Sequence, residues 1–168
     1  MELRYAVVAC PLGRLLVAGT RRGISAVYLG DSDATLESAL RREYPRAQIQ
    51  RSTTPVSRWV RSLALHLRGR QPHLDLPLDV RATAFQRRVW EALQGIPRGE
   101  TRTYSDLARA IGRPKAVRAV ARACATNPVS IVVPCHRVVR KDGDLGGYRW
   151  GIARKKMLLE KEKTARKN

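Results

Sequence analysis

A cysteine and a histidine stand side by side at Cys135 and His136, after the apolar run 131–133 and Pro134, and ahead of Arg137 and Val138. A thiol is a strong nucleophile as a thiolate, and an adjacent histidine, nearby cations or a helix N-terminus lowers its pKa. Neighbouring residues of an extended strand point to opposite sides, so the pair must meet through a bend, a bound water or a third group. Taken alone, the pair fits equally well a cysteine that is buried as a small apolar residue, the commoner outcome after an apolar run.

The charge around this thiol points to its reactant. The chain's 168 residues carry 33 Lys and Arg against 14 Asp and Glu, a formal net charge of +19. Residues 1–80 hold 12 basic and 7 acidic residues, whereas residues 81–168 hold 21 and 7, so the half that contains Cys135 carries most of the excess. Such an excess favours a polyanion, because each neutralised phosphate releases condensed counterions. The alternative is a surface of scattered, solvated arginines.

Other function classes find little support. No apolar stretch approaches the roughly 20 residues needed to span a bilayer, and no signal-peptide core opens the chain, so a cytoplasmic or nucleoid-associated protein that binds no membrane is expected. Cys10, Cys124 and Cys135 are odd in number with no CxxC spacing, which points to neither a disulfide framework nor a zinc ribbon. His66 and His73 read as helix-end and loop residues, with no further ligand at a useful spacing, so no metal is expected. There is no nucleotide-binding glycine loop, repeat or low-complexity tract.

The elements that must position the thiol follow from periodicity. Residues 3–9, 14–19 and 24–29 read as short strands separated by turn signals, which makes a small antiparallel sheet. Two helices, 35–44 and 55–67, should follow, the second with Val56, Trp59, Val60, Leu63 and Leu67 on one stripe. The stretch 69–78, with Pro72 and Pro77, reads as a connection whose Leu74, Leu76 and Leu78 alternation also allows a strand. The boundary falls near Val80, giving an N-terminal α/β lobe over 1–79 and a C-terminal lobe over 80–168 that carries the cysteine.

That second lobe reads as mostly helical. Phe85, Val89, Trp90 and Leu93 mark one amphipathic helix, stopped by the Gly95 to Gly99 turn signals. Thr103 followed by Asp106 is a capping-box spacing, so a helix should run from there to Ile111 and end at Gly112. Pro114 suits the first turn of a further helix reaching about Thr126, before Asn127 and Pro128. Two short helices across a glycine turn form a helix-turn-helix. In the second helix Lys115, Arg118 and Arg122 share one face, and Val117, Val120 and Cys124 the opposite one, which suits DNA contact as well as it suits an ordinary surface helix. The final stretch Lys161–Asn168 reads as a charge-rich, frayed tail.

The segment Asn127-Pro128-Val129-Ser130-Ile131-Val132-Val133-Pro134-Cys135-His136-Arg137-Val138 resembles the active-site segment of the O6-alkylguanine-DNA alkyltransferases. Residues 101–108, Arg118-Ala119-Val120, Gly147-Tyr148 and 154–162 look like the same family in the same order. Within it the chain is similar to the methyltransferase half of the bacterial adaptive-response proteins, without their zinc-bearing N-terminal regulatory domain. The resemblance implies a ribonuclease-H-like α/β lobe followed by a winged-helix-like lobe with the helix-turn-helix. It also implies a monomer that needs no cofactor, and a partner that is double-stranded DNA containing O6-alkylguanine.

Residue roles are implied the same way. Cys135 matches the acceptor of the alkyl group, and His136 with Glu162 matches a relay that removes its proton through a water. Tyr104 matches the phenol that hydrogen-bonds the flipped base and helps protonate the leaving guanine. Asn127 matches the brace between the helix-turn-helix and the active-site loop, and Arg118 the finger that fills the space left by the base. Thr103, Lys115 and Arg122 join Arg118 as expected DNA contacts, and Val138, Tyr148, Arg149 and Trp150 as expected pocket residues. Trp150 stands where many relatives carry glycine, so its indole should narrow the pocket and favour methyl over benzyl; Ser130 stands where some carry proline.

The physics agrees with such a role. Chemistry on a stacked base requires extruding it, at roughly a few kcal/mol, which an inserted side chain and phosphate contacts offset. Transfer from an aryl ether oxygen to sulfur needs a thiolate and a proton donor for the leaving base. The thioether formed is a very poor leaving group, so the protein should react once. Two other classes remain open from the residues: a DNA-binding regulator whose thiol is incidental or senses methylation, and a cysteine hydrolase, which would need an oxyanion hole.

Overall fold

The computed structural model describes residues 1–52 and 54–167, with side chains as far as 164. The chain divides into two compact units, Met1–Val80 and Arg81–Asn168. The first is built on strands β1 (Glu2–Cys10), β2 (Gly13–Gly19) and β3 (Ile24–Gly30), paired antiparallel in sequence order. Every residue of β3 is buried, so both its faces are covered.

Helix α1 (Asp33–Glu43) packs on β2 and β3 through Leu36 and Leu40. It begins two residues before the sequence pattern because the Ser32 hydroxyl accepts from the Thr35 N–H at 3.2 Å and caps it. Strand β4 (Gln48–Arg51) was not foreseen and joins the sheet parallel to β1. Helix α2 (Ser57–Leu67) sets Trp59, Val60, Leu63 and Leu67 against β1 and β2, the stripe read from the sequence. The alternating stretch after it reduces to a single bridge between Ile24 and Leu78. There Gly23 lies so close that a Cβ would stand 2.6 Å from the Pro77 carbonyl oxygen, which leaves room for glycine alone.

The second unit starts with α3 (Ala84–Gln94), capped by a reciprocal Thr83–Gln86 box and buried through Val89, Trp90 and Leu93. Strand β5 (Arg102–Thr103) leads into α4 (Tyr104–Ala110), whose Thr103–Asp106 box forms as the spacing indicated, with bonds of 2.9 and 3.0 Å. Gly112 follows at φ +75°, a conformation that favours glycine after a helix.

Helix α5 (Val117–Ala125) starts later than expected. The Ala116 N–H donates to the Arg113 carbonyl at 2.9 Å, so Pro114 occupies the second position of a tight turn, where its fixed φ serves as well as in a first helical turn. Lys115 therefore precedes the helix and does not share its face with Arg118 and Arg122, while Val120, Ala123 and Cys124 are buried. A 3-10 turn, Cys135–Arg137, runs into β6 (Val138–Val139), which pairs with β5 in parallel.

Helix α6 (Ile152–Lys167) closes the unit. It continues through residues 161–167, which corrects the frayed tail expected there; Asn168 lies outside the described residues. Among the described residues no helix is long and apolar enough to cross a membrane.

Candidate active site

The loop before Cys135 is held in an unusual shape. Ile131 has φ +75°, the only non-glycine residue with positive φ among those described, a conformation that costs roughly 1–3 kcal/mol for a branched side chain. Asn127, 1 % exposed, supplies the restraint: its Nδ2 donates to the Val133 carbonyl at 2.8 Å and its Oδ1 accepts from the Val129 N–H at 3.0 Å. Replacing Asn127 with alanine takes the partner from the buried Val129 N–H, at roughly 1–3 kcal/mol, while the Val133 carbonyl keeps the bond from the Cys135 N–H at 2.8 Å. Urea unfolding of Asn127→Ala is expected to show a loss of about 1–3 kcal/mol, with Cys135 alkylated more slowly at neutral pH.

The turn that follows resolves how adjacent residues serve one site. Its 3-10 geometry abolishes the strand alternation, so Cys135 and His136 are both buried, at 5 % and 0 % exposure. Burial pushes the Cys135 thiol up, while a hydrogen bond from Asn127 and the charges of Lys155 and Arg149 pull it down. None of the three cysteines is in a disulfide.

Behind the thiol lies a chain of buried polar groups. His136 Nε2 meets Glu162 Oε1 at 2.7 Å, and its Nδ1 is buried with no hydrogen-bond partner in the structure. Burial lowers the His136 pKa and Glu162 works against that, leaving the ring neutral near pH 7. Burial also raises Glu162, but the bonds from His136 and Arg137 outweigh it and hold the carboxyl at about 2.

Above the thiol is a cavity of about 630 Å³, lined by Tyr104, Arg118, Cys124, Cys135, Tyr148 and Arg149 among others. Tyr104 opens α4, and burial, with the nearby Cys124 and Cys135, pushes its phenol up to about 12, so it stays a proton donor. Lys155 Nζ lies 5.9 Å from the Tyr104 ring centre and donates to the Gly147 carbonyl at 3.1 Å. Arg118 and Arg122 are exposed on α5.

Not every expected site residue lines this cavity. Val138 is fully buried and lies in β6, and Thr103 is occupied capping α4. Trp150 donates its indole N–H to Ser130 Oγ at 2.8 Å, its ring lies 4.6 Å from the Arg149 guanidinium, and it is not among the residues that line the cavity. Lys115 and Arg122 are exposed and outside the lining.

Sequence reasoning missed Lys155 and Arg137. Lys155 and Glu162 stand at i and i+7 on α6, with Leu158 and Leu159 between them, which places all four on one buried stripe. Arg137 carries no such local signal, since its burial depends on the Glu162 carboxylate, which meets its Nη2 at 2.9 Å.

Comparison with known proteins places this site in a family. Residues 3–80 match the family description "6-O-methylguanine DNA methyltransferase, ribonuclease-like domain", and residues 84–164 its "DNA binding domain". The chain is 54 % identical over 162 residues to the "Bifunctional transcriptional activator/DNA repair enzyme Ada" of Escherichia coli, covering 96 % of this chain and 46 % of that one, so it spans about half that relative's length. It is 40 % identical over 161 residues to the "Methylated-DNA--protein-cysteine methyltransferase" of Mycolicibacterium paratuberculosis, covering 96 % and 93 %. Among solved structures, the Mycobacterium tuberculosis OGT in complex with DNA superposes with a TM-score of 0.81 at 36 % identity, over 98 % of this chain and 94 % of that one. A buried thiol backed by a histidine and a carboxylate, on a chain matched to one family at both ends and throughout, means that this protein belongs to the 6-O-methylguanine-DNA methyltransferase family.

Proposed function

We propose that this protein repairs DNA by moving an alkyl group, chiefly methyl, from O6 of guanine, and also from O4 of thymine, to its own Cys135. The observation that carries this reading is a buried thiol at the base of a 630 Å³ cavity, with His136 and Glu162 behind it and the exposed Arg118 on the cavity wall. The thiol loses its proton to His136 Nδ1, through a water, and the imidazolium formed is paired with Glu162. The sulfur–carbon bond then forms as the carbon–oxygen bond breaks, and the Tyr104 phenol supports protonation of the departing base. The resulting thioether is a very poor leaving group, so each molecule acts once.

The remaining parts of the reading follow. Arg118 enters duplex DNA and fills the gap left by the flipped nucleotide, and Thr103, Lys115 and Arg122 add backbone contacts. Tyr148, Arg149, Val138 and Trp150 shape the pocket, with methyl preferred over benzyl. The protein works as a monomer in the cytoplasm, on nucleoid DNA. The names of the relatives and the OGT–DNA complex support DNA as the partner.

Intact-mass spectrometry after incubation with a duplex holding O6-methylguanine tests this. One gain of about 14 Da per molecule, mapped to Cys135 and absent with unmodified DNA, is expected for irreversible transfer to the nucleophile. DNA binding with no adduct would overturn the proposal and favour a regulator.

A further inference from the structure

Arg137 carries a full charge yet is only 8 % exposed. A buried guanidinium is tolerated when its donors are matched. Its Nε donates to both Glu162 oxygens, at 3.3 and 3.1 Å, and its Nη2 to Oε1 at 2.9 Å. At the other end of the plane, Nη1 donates to the Ile96 carbonyl at 2.8 Å, just beyond α3. A planar group tied on opposite sides cannot rotate, and the carboxylate is fixed with it.

That grip has a consequence at His136. Glu162 is held ionised and can only accept a hydrogen bond, so the Nε2 that faces its Oε1 at 2.7 Å carries the ring proton. The buried, unpartnered Nδ1 is then the ring's lone pair. We propose that Arg137 is the positioning residue of the relay: by clamping Glu162 between α6 and the end of α3, it sets the tautomer in which His136 Nδ1 receives the Cys135 proton.

The proton leaves sulfur for Nδ1, the Arg137–Glu162 pair stays charged throughout, and the alkyl carbon exchanges oxygen for sulfur. The groups that act on His136 are Glu162 and Lys155 from α6 and Arg137 from its own turn; Glu162 favours the charged ring, and the two cations oppose it. The Tyr148 phenol also lies within the field of Glu162. Removing the Arg137 charge therefore makes the imidazolium easier to form, so at low pH less of the His136 ring is neutral and free to take the thiol proton.

This inference rests on the alkyl-transfer reading for its rate measurement alone. In the full chain, the pH dependence of Cys135 alkylation by iodoacetamide and of methyl transfer is measured for wild type, Arg137→Met and Arg137→Lys, with the nitrogen-15 shifts of the wild-type His136 ring. Arg137→Met should move the acid limb of both profiles upward by about one pH unit, a tenfold change in the protonation equilibrium. Arg137→Lys should return the limb to its wild-type position while leaving the rate a few-fold low, because one ammonium cannot reproduce the fork. A limb that does not move in Arg137→Met, whatever its stability, overturns the proposal. So does a wild-type ring protonated on Nδ1, a result that needs no variant to fold. Iodoacetamide needs no damaged DNA, so absent methyl transfer with a shifted thiol profile would count against the repair reading and leave the relay intact.

Discussion

Replacing Cys135 with serine is expected to slow alkyl transfer by roughly a million-fold, the scale seen when an enzyme loses its nucleophile. A serine hydroxyl in the same turn remains protonated at neutral pH, and His136 would have to generate an alkoxide where it now meets a thiol. Binding to DNA should persist, because the side chain is 5 % exposed and contributes no surface to a duplex. Band-shift titration alongside adduct mapping checks both halves. Transfer that survives in Cys135→Ser would point to a different acceptor; Cys124, which also lines the cavity, is the first residue to map, although burial pushes its own thiol up to about 12.

Arg118→Ala should separate duplex from single-stranded substrate. Arg118 is exposed at the start of α5 and also lines the cavity, a placement from which it can occupy a vacated base position while Cys135 reacts with the flipped base. Extrusion of a paired base costs a few kcal/mol, and losing the inserted side chain should return about 3 kcal/mol of it, or roughly a hundredfold in rate. A single strand has no stack to open, so its rate should change only a few-fold. Rapid-quench kinetics on matched oligonucleotides gives the comparison, and equal losses on both would contradict an intercalating finger.

The parts of this architecture that were legible in the sequence are those written in local chemistry. The Thr103–Asp106 box, the α2 stripe and the strand turns each need only neighbours within one or two turns of chain, and each forms as read. Strand β4 gave no signal, because Gln48, Ile49, Gln50 and Arg51 hold one apolar residue at a sheet edge. Pro114 was read as a helix start since its fixed φ suits both a first turn and a tight turn, and only the Ala116 bond to Arg113 decides between them. Arg137 and Lys155 were missed for a different reason. Charged side chains are placed outside by their type, and Arg137 is inside because of a carboxylate 25 residues away in sequence.

The left-handed Ile131 ties the shape of the loop to the chemistry of the thiol. A strained residue persists only while its surroundings over-determine it, and here the restraint is Asn127, the same side chain that draws the Cys135 thiol down. Loop shape and thiol chemistry therefore depend on one amide: its loss loosens the turn that carries Ile131 and removes a bond that offsets part of the cost of burying a charged sulfur.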